Sequence, residues 1–175
     1  FISRTGFSKQ GGYEIYIQNH SNGKKLWDLI VQEGFKFNLK IGTVNLIERV
    51  ESGLLSYGND MTSKNTPFDC GLGKYCSLES NYEFIGKRSL LIQRKRGPHK
   101  DIFKILFDAP IGLENNEVEC YNGEKKIGKL TSLIFAPKFN KYMGFMISKV
   151  ENTINKENIY VKIRRNFFKA SIENF

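Results

Sequence analysis

The chain has 175 residues and a formal net charge of +9, from 27 Lys and Arg against 18 Asp and Glu. Hydrophobic residues make up 40% of it and aromatic residues 13%, which excludes a fully disordered protein. No apolar run approaches the ~20 residues that span a bilayer, so we expect no membrane partner. The first residues, Phe1 to Arg4, resemble the middle of a β-strand and lack the features of a signal peptide. This predicts that the sequence begins inside a longer protein.

Cysteine and histidine usage argues against a disulfide framework and against a metal site. The three cysteines, Cys70, Cys76 and Cys120, form an odd set without metal-ligand spacing. Neither His20 nor His99 lies near a cysteine in the sequence. We therefore expect no metal and three buried free thiols, as is typical of a cytoplasmic protein.

Positive charge is concentrated between residues 87 and 104, which include seven Lys and Arg. A nucleic-acid surface would need a recognition helix or an aromatic RNA-binding strand beside this charge, and the sequence offers neither. Gly97-Pro98 in the middle of the segment favours a solvated linker between two folded parts. We therefore predict a linker here and no nucleic-acid partner.

The chain is predicted to open with a β-hairpin. Residues 1–5 and 13–17 have strand patterns, and Gly11-Gly12 supplies the turn. Because side chains alternate along a strand, Glu14 and Tyr16 share one face of the second strand. A carboxylate and a phenol together could bind a ligand, but an ordinary solvent-facing sheet surface explains them equally well.

Helices dominate the rest of the first part. One helix is predicted to end at Gly34, a second covers about 44–56, and residues 84–87 lead into a third that runs to about 93, with a short strand over 75–78. The first helix can be capped by Ser21 or Asn22, and the second by Thr43 or Asn45. Gly53 would lie inside the second helix at a cost of roughly 1 kcal/mol relative to Ala, which indicates close packing or a ligand there.

Arg49 is the second candidate for a functional side chain. It shares the Gly53 face of the predicted helix, and Tyr57 follows in the turn after it. A salt bridge to Glu48 or Glu51, or a solvated guanidinium, explains Arg49 without any ligand. The sequence contains no phosphate-binding glycine loop, no nucleophile elbow and no zinc-protease motif.

The second part, after Gly97-Pro98, is predicted to be all-β. Six β-rich stretches follow one another without a helical stripe, at 102–107, 118–121, 125–135, 142–147, 159–163 and 167–172. Asn122-Gly123 and Arg165-Asn166 are predicted hairpin turns. This strand density predicts a closed or nearly closed antiparallel barrel packed on the first part. The fold class is therefore α+β, with domains at 1–93 and 94–175.

Four stretches of the chain resemble, in order, motifs of the tetrahydrofolate-dependent aminomethyltransferase family, of which the glycine-cleavage T-protein is the best-known member. They are 4–16 (RTGFSKQGGYEIY), 49–60 (RVESGLLSYGND), 71–73 (GLG) and 84–87 (FIGK). The all-β end is similar to the C-terminal barrel of that family. Each match alone is weak, but together they are collinear over nearly the whole chain. The first two stretches resemble a branch that demethylates a sulfonium compound more than they resemble the T-protein.

The resemblance implies a fold and an activity. The chain would hold the later part of a folate-binding body, followed by the C-terminal barrel. Its cofactor would be tetrahydrofolate, and its partner a small-molecule methyl donor whose methyl group moves from sulfur to N5. The catalytic residue is expected in a preceding half, so none is assigned here, and the 175-residue chain alone is expected to be inactive.

Alternatives within the resemblance stay open. The enzyme could take an aminomethyl group from a lipoyl carrier, as the T-protein does. The chain could also be the folate-binding module of a larger dimethylglycine or sarcosine oxidoreductase. Monomer and homodimer are both open.

The resemblance also assigns site residues. Glu14, Tyr16, Arg49 and Tyr57 are implied to bind the cofactor, and Phe7 and Tyr16 the substrate. The Glu14 carboxylate can accept two hydrogen bonds from the pterin ring N–H and 2-amino group. Arg49 would either meet the carboxylate end of folate or support Glu14. We expect Glu14 and Tyr16 to point into a cleft that has Arg49 and Tyr57 on its wall.

Phe7 occupies the aromatic position of the family pattern. In the demethylating branch we expect Trp at this position, against the sulfonium. Phe keeps a π face but attracts a cation less strongly than Trp, and it lacks the indole N–H.

Overall fold

The computed structural model describes residues 1–43, 45–109, 118–149 and 157–173. It consists of a first part with short helices and a hairpin, followed by a closed antiparallel barrel of six strands. The predicted α+β class and the C-terminal barrel are therefore confirmed. Within the described ranges, no helix has the length and apolar character needed to cross a membrane.

The predicted hairpin is present but much shorter than expected. Strands β1 (Ile2–Ser3) and β2 (Glu14–Ile15) pair antiparallel, with Ile2 opposite Ile15. Residues 4–13 form a long loop, so the prediction of a tight turn at Gly11-Gly12 is wrong. A physical reason is that three of the ten loop residues are Gly, which gives a strand no side-chain surface to pack.

Helix α1 (Gly23–Gly34) confirms the first predicted helix. Asn22, one of the two predicted caps, occupies the N-cap position, but its side chain makes no capping hydrogen bond and a 3-10 turn at His20–Asn22 leads into the helix. The Asn19 side chain caps that turn by accepting a hydrogen bond from the Ser21 backbone N–H at 3.0 Å. None of the residues of α1 is buried, and even Trp27 is about half exposed.

Helix α2 (Leu46–Glu51) has the N-cap that the sequence offers. The Asn45 side chain accepts hydrogen bonds from the backbone N–H groups of Ile47 at 2.9 Å and Glu48 at 3.4 Å. Asn at this position satisfies donors that have no partner within the helix. Position 44, the predicted first residue of this helix, lies outside the described residues.

The end of α2 differs from the prediction that the helix continues to residue 56. Gly53 has φ +74°, in the left-handed region. Its N–H donates to the Val50 carbonyl at 3.0 Å, and the Leu54 N–H donates to the Arg49 carbonyl at 2.8 Å. This hydrogen-bond pair is a Schellman motif, in which Gly stops the helix. Gly53 is therefore a helix stop, and the prediction that it lies inside the helix is wrong.

The strand predicted over 75–78 is also wrong. The chain forms 3-10 turns at Phe68–Cys70 and Gly73–Tyr75, and no strand follows the second turn before residue 80. Gly71 between the two turns has φ +67°, and it bends the backbone away from an extended path.

The basic segment is folded, so the prediction of a solvated linker is wrong. Helix α3 (Lys87–Arg96) takes up most of it and runs three residues past the predicted domain boundary at 93. Gly97, with φ +85°, ends the helix, and the first barrel strand starts at Lys100. Leu, Gln, Lys and Arg are good helix formers, so here Gly-Pro ends a helix instead of marking a linker.

The barrel strands follow the predicted stretches closely. They are β3 (Lys100–Phe107), β4 (Glu119–Asn122), β5 (Lys125–Ala136), β6 (Lys141–Lys149), β7 (Ile159–Ile163) and β8 (Asn166–Glu173). Their order around the barrel is β3-β6-β5-β4-β7-β8, and every pair in it is antiparallel. A hairpin turn joins β4 to β5, but it lies one residue after the predicted Asn122-Gly123, because Asn122 pairs with Lys125 and Gly123, with φ +60°, starts the loop. The β7–β8 turn lies one residue before its predicted position, because Ile163 pairs with Asn166.

Two groups of buried side chains hold the fold together. One lies within the barrel and includes Ile105, Phe107 and Val161. The other joins Val50 of α2 and Cys70 to barrel residues such as Met143 and Phe145. The second group confirms that the barrel packs against the first part.

Candidate functional site

Arg49 lies in the interface between α2 and the barrel, where it is almost completely buried. Its Nη1 donates to Asp60 Oδ2 at 2.8 Å and to the Leu54 carbonyl at 2.9 Å. Its Nη2 donates to Ser132 Oγ on β5 at 2.6 Å. The Arg49 side chain is 5% exposed and that of Asp60 is 0% exposed, so the pair forms a buried ion pair.

Asp60 and Ser132 complete this network. Asp60 also accepts hydrogen bonds from the Ser56 N–H at 2.8 Å and from Ser132 Oγ at 2.5 Å. The Ser132 hydroxyl accepts from Asn59 Nδ2 at 2.5 Å. Ser132 has φ +52° and lies where the pairing of β5 with β6 shifts register. A bulge of this kind redirects a side chain, and here it accompanies the bonds that tie the barrel to the turn after α2.

The loop over residues 4–13 packs against α2. The Phe7 ring centroid lies 5.8 Å from Cζ of Arg49, within cation–π range. Ser52 Oγ donates to the Ser8 carbonyl at 3.1 Å, and Gln10 Nε2 donates to Glu48 Oε1 at 3.1 Å. Phe7 and Arg49, which the sequence placed in separate motifs, are therefore neighbours.

Glu14 and Tyr16 lie in the hairpin at the other end of that loop. Glu14 is half-buried, and its Oε2 accepts a short hydrogen bond from Thr5 Oγ1. Tyr16 is 53% exposed, and its ring centroid lies 6.0 Å from that of Phe1. Tyr57 is 70% exposed and makes an isolated β-bridge with Met61.

The structure brings together only some of the predicted site residues. Phe7 and Arg49 are in contact, but among the described residues no hydrogen bond or ring contact links Glu14 or Tyr16 to Arg49 or Tyr57. The common cleft for these residues therefore stays a prediction. The ionic partner of Arg49 is Asp60, and neither Glu48 nor Glu51 takes that place.

Glu14 keeps free hydrogen-bonding capacity for a ligand, whereas Arg49 is engaged by protein atoms. A carboxylate has room for about four hydrogen bonds, and Thr5 occupies one oxygen of Glu14. Capacity therefore remains for two pterin N–H donors. The Arg49 guanidinium is buried and directs three hydrogen bonds to protein atoms, so it is suited to holding the interface in place.

Comparisons with known proteins agree with the motifs and the fold. Residues 1–80 match the family model described as "GCVT N-terminal domain". Over 138 residues, 79% of this chain, the sequence is 42% identical to "Dimethylsulfoniopropionate demethylase DmdA" of Ruegeria pomeroyi, of which it covers 37%. Over 175 residues, 98% of this chain, it is 31% identical to an aminomethyltransferase of Oceanobacillus iheyensis, of which it covers 46%.

A solved structure shows the same fold. The glycine cleavage system aminomethyltransferase T from Bartonella henselae superposes with a TM-score of 0.74 over 99% of this chain and 48% of its own, at 20% sequence identity. The chain thus spans about half the length, or less, of the relatives that it matches.

These findings confirm the resemblance seen in the sequence. The chain is similar both to the aminomethyltransferases, transferases whose cofactor is tetrahydrofolate, and to the dimethylsulfoniopropionate demethylase.

Proposed function

We propose that the whole protein is a cytoplasmic enzyme that transfers a methyl group from dimethylsulfoniopropionate to tetrahydrofolate. The observation that carries this proposal is the 42% identity to the Ruegeria demethylase, against 31% and 32% to two aminomethyltransferases. In the reaction, tetrahydrofolate supplies N5 as the nucleophile that bonds the methyl carbon. The carbon–sulfur bond breaks with its electron pair staying on sulfur, a thioether acid with an uncharged sulfur leaves, and N5 gives up its proton to solvent.

Phe7 and Arg49 suit a site for the sulfonium. An aromatic face attracts a cation, and Phe7 is 39% exposed, so part of its ring remains open to a ligand. The Arg49 charge beside it would repel a sulfonium if it were unpaired. Asp60 neutralises that charge at 2.8 Å, so the ion pair can position Phe7 without repelling the donor.

Glu14 is proposed to bind the pterin ring, with Tyr16 at the edge of the same pocket. Two charge-assisted hydrogen bonds from the pterin to one carboxylate would fix the ring plane and therefore the direction of N5. Methyl transfer from a sulfonium needs little acid–base help, so orientation of N5 in line with the methyl carbon is the main contribution expected of the protein. Tyr57, with its exposed ring, is proposed to lie on the wall of the same channel.

A comparison of two one-carbon donors, a sulfonium and an aminomethyl carrier, tests the proposed reaction. The full-length protein is incubated with tetrahydrofolate and either dimethylsulfoniopropionate or an aminomethyl-lipoyl carrier, and the folate products are separated by chromatography. We expect 5-methyltetrahydrofolate with the sulfonium donor and no methylenetetrahydrofolate with the carrier. The opposite pattern would replace the proposal by aminomethyl transfer.

Aminomethyl transfer is the second candidate, because the chain aligns with an aminomethyltransferase over more of its length than with the demethylase. The match to the Oceanobacillus aminomethyltransferase extends over 98% of the chain, against 79% for the demethylase. Release of ammonia together with methylenetetrahydrofolate would identify that activity.

Cofactor binding has its own test. Titrating tetrahydrofolate into the full-length protein should show that Glu14→Gln weakens binding about ten- to a hundredfold, because a charged hydrogen-bond partner contributes roughly 1.5–3 kcal/mol. Lys95→Gln, a change at an exposed residue of α3, should change binding by less than about 1 kcal/mol. Equal losses in the two variants would mean that diffuse charge binds the cofactor. The 175-residue chain alone should bind weakly and show no turnover.

A further inference from the structure

A cavity of about 300 Å³ lies where the loop over 4–13, the turn after α2, the second 3-10 turn and β3 meet. We call it the lysine cavity, because Lys9, Lys74 and Lys104 line it from three separate segments. Its size is at the lower end of the range for small-molecule sites. None of Glu14, Tyr16 and Tyr57 is among its lining residues.

Positive charge is concentrated in the lysine cavity. Lys104, half-buried on β3, has a pKa below its ordinary value, mainly because burial removes water from its ammonium group. Repulsion from Lys9, and further from Lys138, lowers that pKa in the same direction. Glu173 of β8 acts against these effects but does not cancel them. An anion in the cavity would therefore relieve both the lost hydration and the repulsion.

The rest of the cavity wall is largely apolar. Leu54 and Leu55 follow the Gly53 helix stop, and Met61 and Leu72 come from the next two turns. Leu55 is buried, and Leu54, Met61 and Leu72 are half-buried. These four side chains form an apolar surface beside the ammonium groups. A ligand that fits both surfaces needs a negative charge at one end and a short apolar body.

We propose that the lysine cavity binds a small carboxylate whose short aliphatic chain packs against Leu54, Leu55 and Leu72. The carboxylate lies among Lys9, Lys74 and Lys104. This site is independent of the proposed methyl transfer, because it uses neither Phe7 nor Glu14.

Calorimetric titration of the full-length protein with pentanoate and with pentanamide tests the proposal. The two probes have nearly the same shape and differ in charge. We expect pentanoate to bind and pentanamide to bind at least tenfold more weakly, because only the carboxylate relieves the lysine repulsion. Equal affinity of the two probes, or no pentanoate binding, would overturn the proposal. Equal binding of inorganic phosphate would also overturn it, since phosphate has no apolar body.

Substitutions of the cavity lysines test whether pentanoate binds in the lysine cavity. Lys104→Met and Lys74→Gln should each weaken pentanoate roughly tenfold or more, and Lys95→Gln should leave it unchanged. Lys74 is exposed, so its variant tests the site even if Lys104→Met fails to fold. In an NMR titration of the lysine ammonium groups, pentanoate should raise the pKa of Lys104. Full binding by Lys74→Gln, or an unmoved Lys104 pKa, would place the ligand elsewhere.

Discussion

Replacing Asp60 with Asn removes the negative charge that faces Arg49 while keeping the shape of the side chain. The carboxylate accepts from Arg49 Nη1 and the Ser56 N–H at 2.8 Å each, and from Ser132 Oγ at 2.5 Å. Asn has one acceptor oxygen and one donor group, so at least one of these donors would face another donor. Arg49 would keep its charge at 5% exposure with neutral partners alone, among them the Leu54 carbonyl and Ser132.

The expected loss of stability is large because the charge left behind is buried. Removing one partner of a buried ion pair typically costs ~3–5 kcal/mol. Urea unfolding of the full-length protein, followed by circular dichroism, should therefore show Asp60→Asn destabilised by about 3 kcal/mol or more. Ser132→Ala removes a neutral partner of both charges and leaves the ion pair, so it should cost less, about 1.5–3 kcal/mol.

Asp28→Asn on α1 is the matched control. Asp28 pairs with Lys24 at 2.5 Å, but the two side chains are 56% and 86% exposed. An exposed pair contributes less than about 1 kcal/mol, so this variant should unfold almost as the wild type does. If Asp60→Asn lost no more stability than Asp28→Asn, the Arg49 charge would be hydrated in solution and the buried network would be refuted.

Three further predictions concern the backbone and the thiols. Gly53→Ala should lose about 1–2 kcal/mol in urea unfolding because Gly53 has φ +74°, whereas Gly12→Ala, in open space, should lose much less. In the native protein Ellman's reagent should react with half-buried Cys76 and reach Cys70 and Cys120 only after unfolding, and fast reaction of all three would contradict their burial. Burial raises the pKa of Cys120 from 9.0 to about 12, so the unfolded thiol ionises first and stability should fall as pH rises from 9 towards 12. Cys120→Ala should flatten that alkaline loss of stability.

The barrel could be predicted because its signals are local. Each strand carries its own run of β-prone side chains, and Gly123, with a positive φ, marks the turn between β4 and β5. The signal for the end of α2 at Gly53 is also local, since Gly directly after an apolar helical stripe is the commonest helix terminator. Interpreting that residue as part of the helix made α2 five residues too long.

The partners of Arg49 could not be predicted from local sequence. Ser132 lies 83 positions away, and it reaches Arg49 from a bulge with a positive φ that no glycine marks. The acids proposed from helical spacing have other partners. Glu48 accepts from Gln10, and Glu51 accepts from the Lys138 backbone N–H at 2.9 Å.

The contact between Phe7 and Arg49 depends in the same way on packing. The family motifs named both residues, but only the loop over 4–13, folded against α2, places the ring 5.8 Å from the guanidinium carbon. Sequence periodicity predicts which face of an element a residue occupies, and it does not predict which loop will cover that face.

Transfer of a labelled methyl group tests the proposed function most directly. Dimethylsulfoniopropionate carrying ¹³C in its S-methyl groups is incubated with the full-length protein and tetrahydrofolate, and the products are followed by ¹³C NMR. We predict that the label appears on N5 of 5-methyltetrahydrofolate and on the thioether acid in equal amounts, with Glu14→Gln slowing its appearance. A full-length protein that binds tetrahydrofolate but leaves all of the label on dimethylsulfoniopropionate would contradict the proposed function.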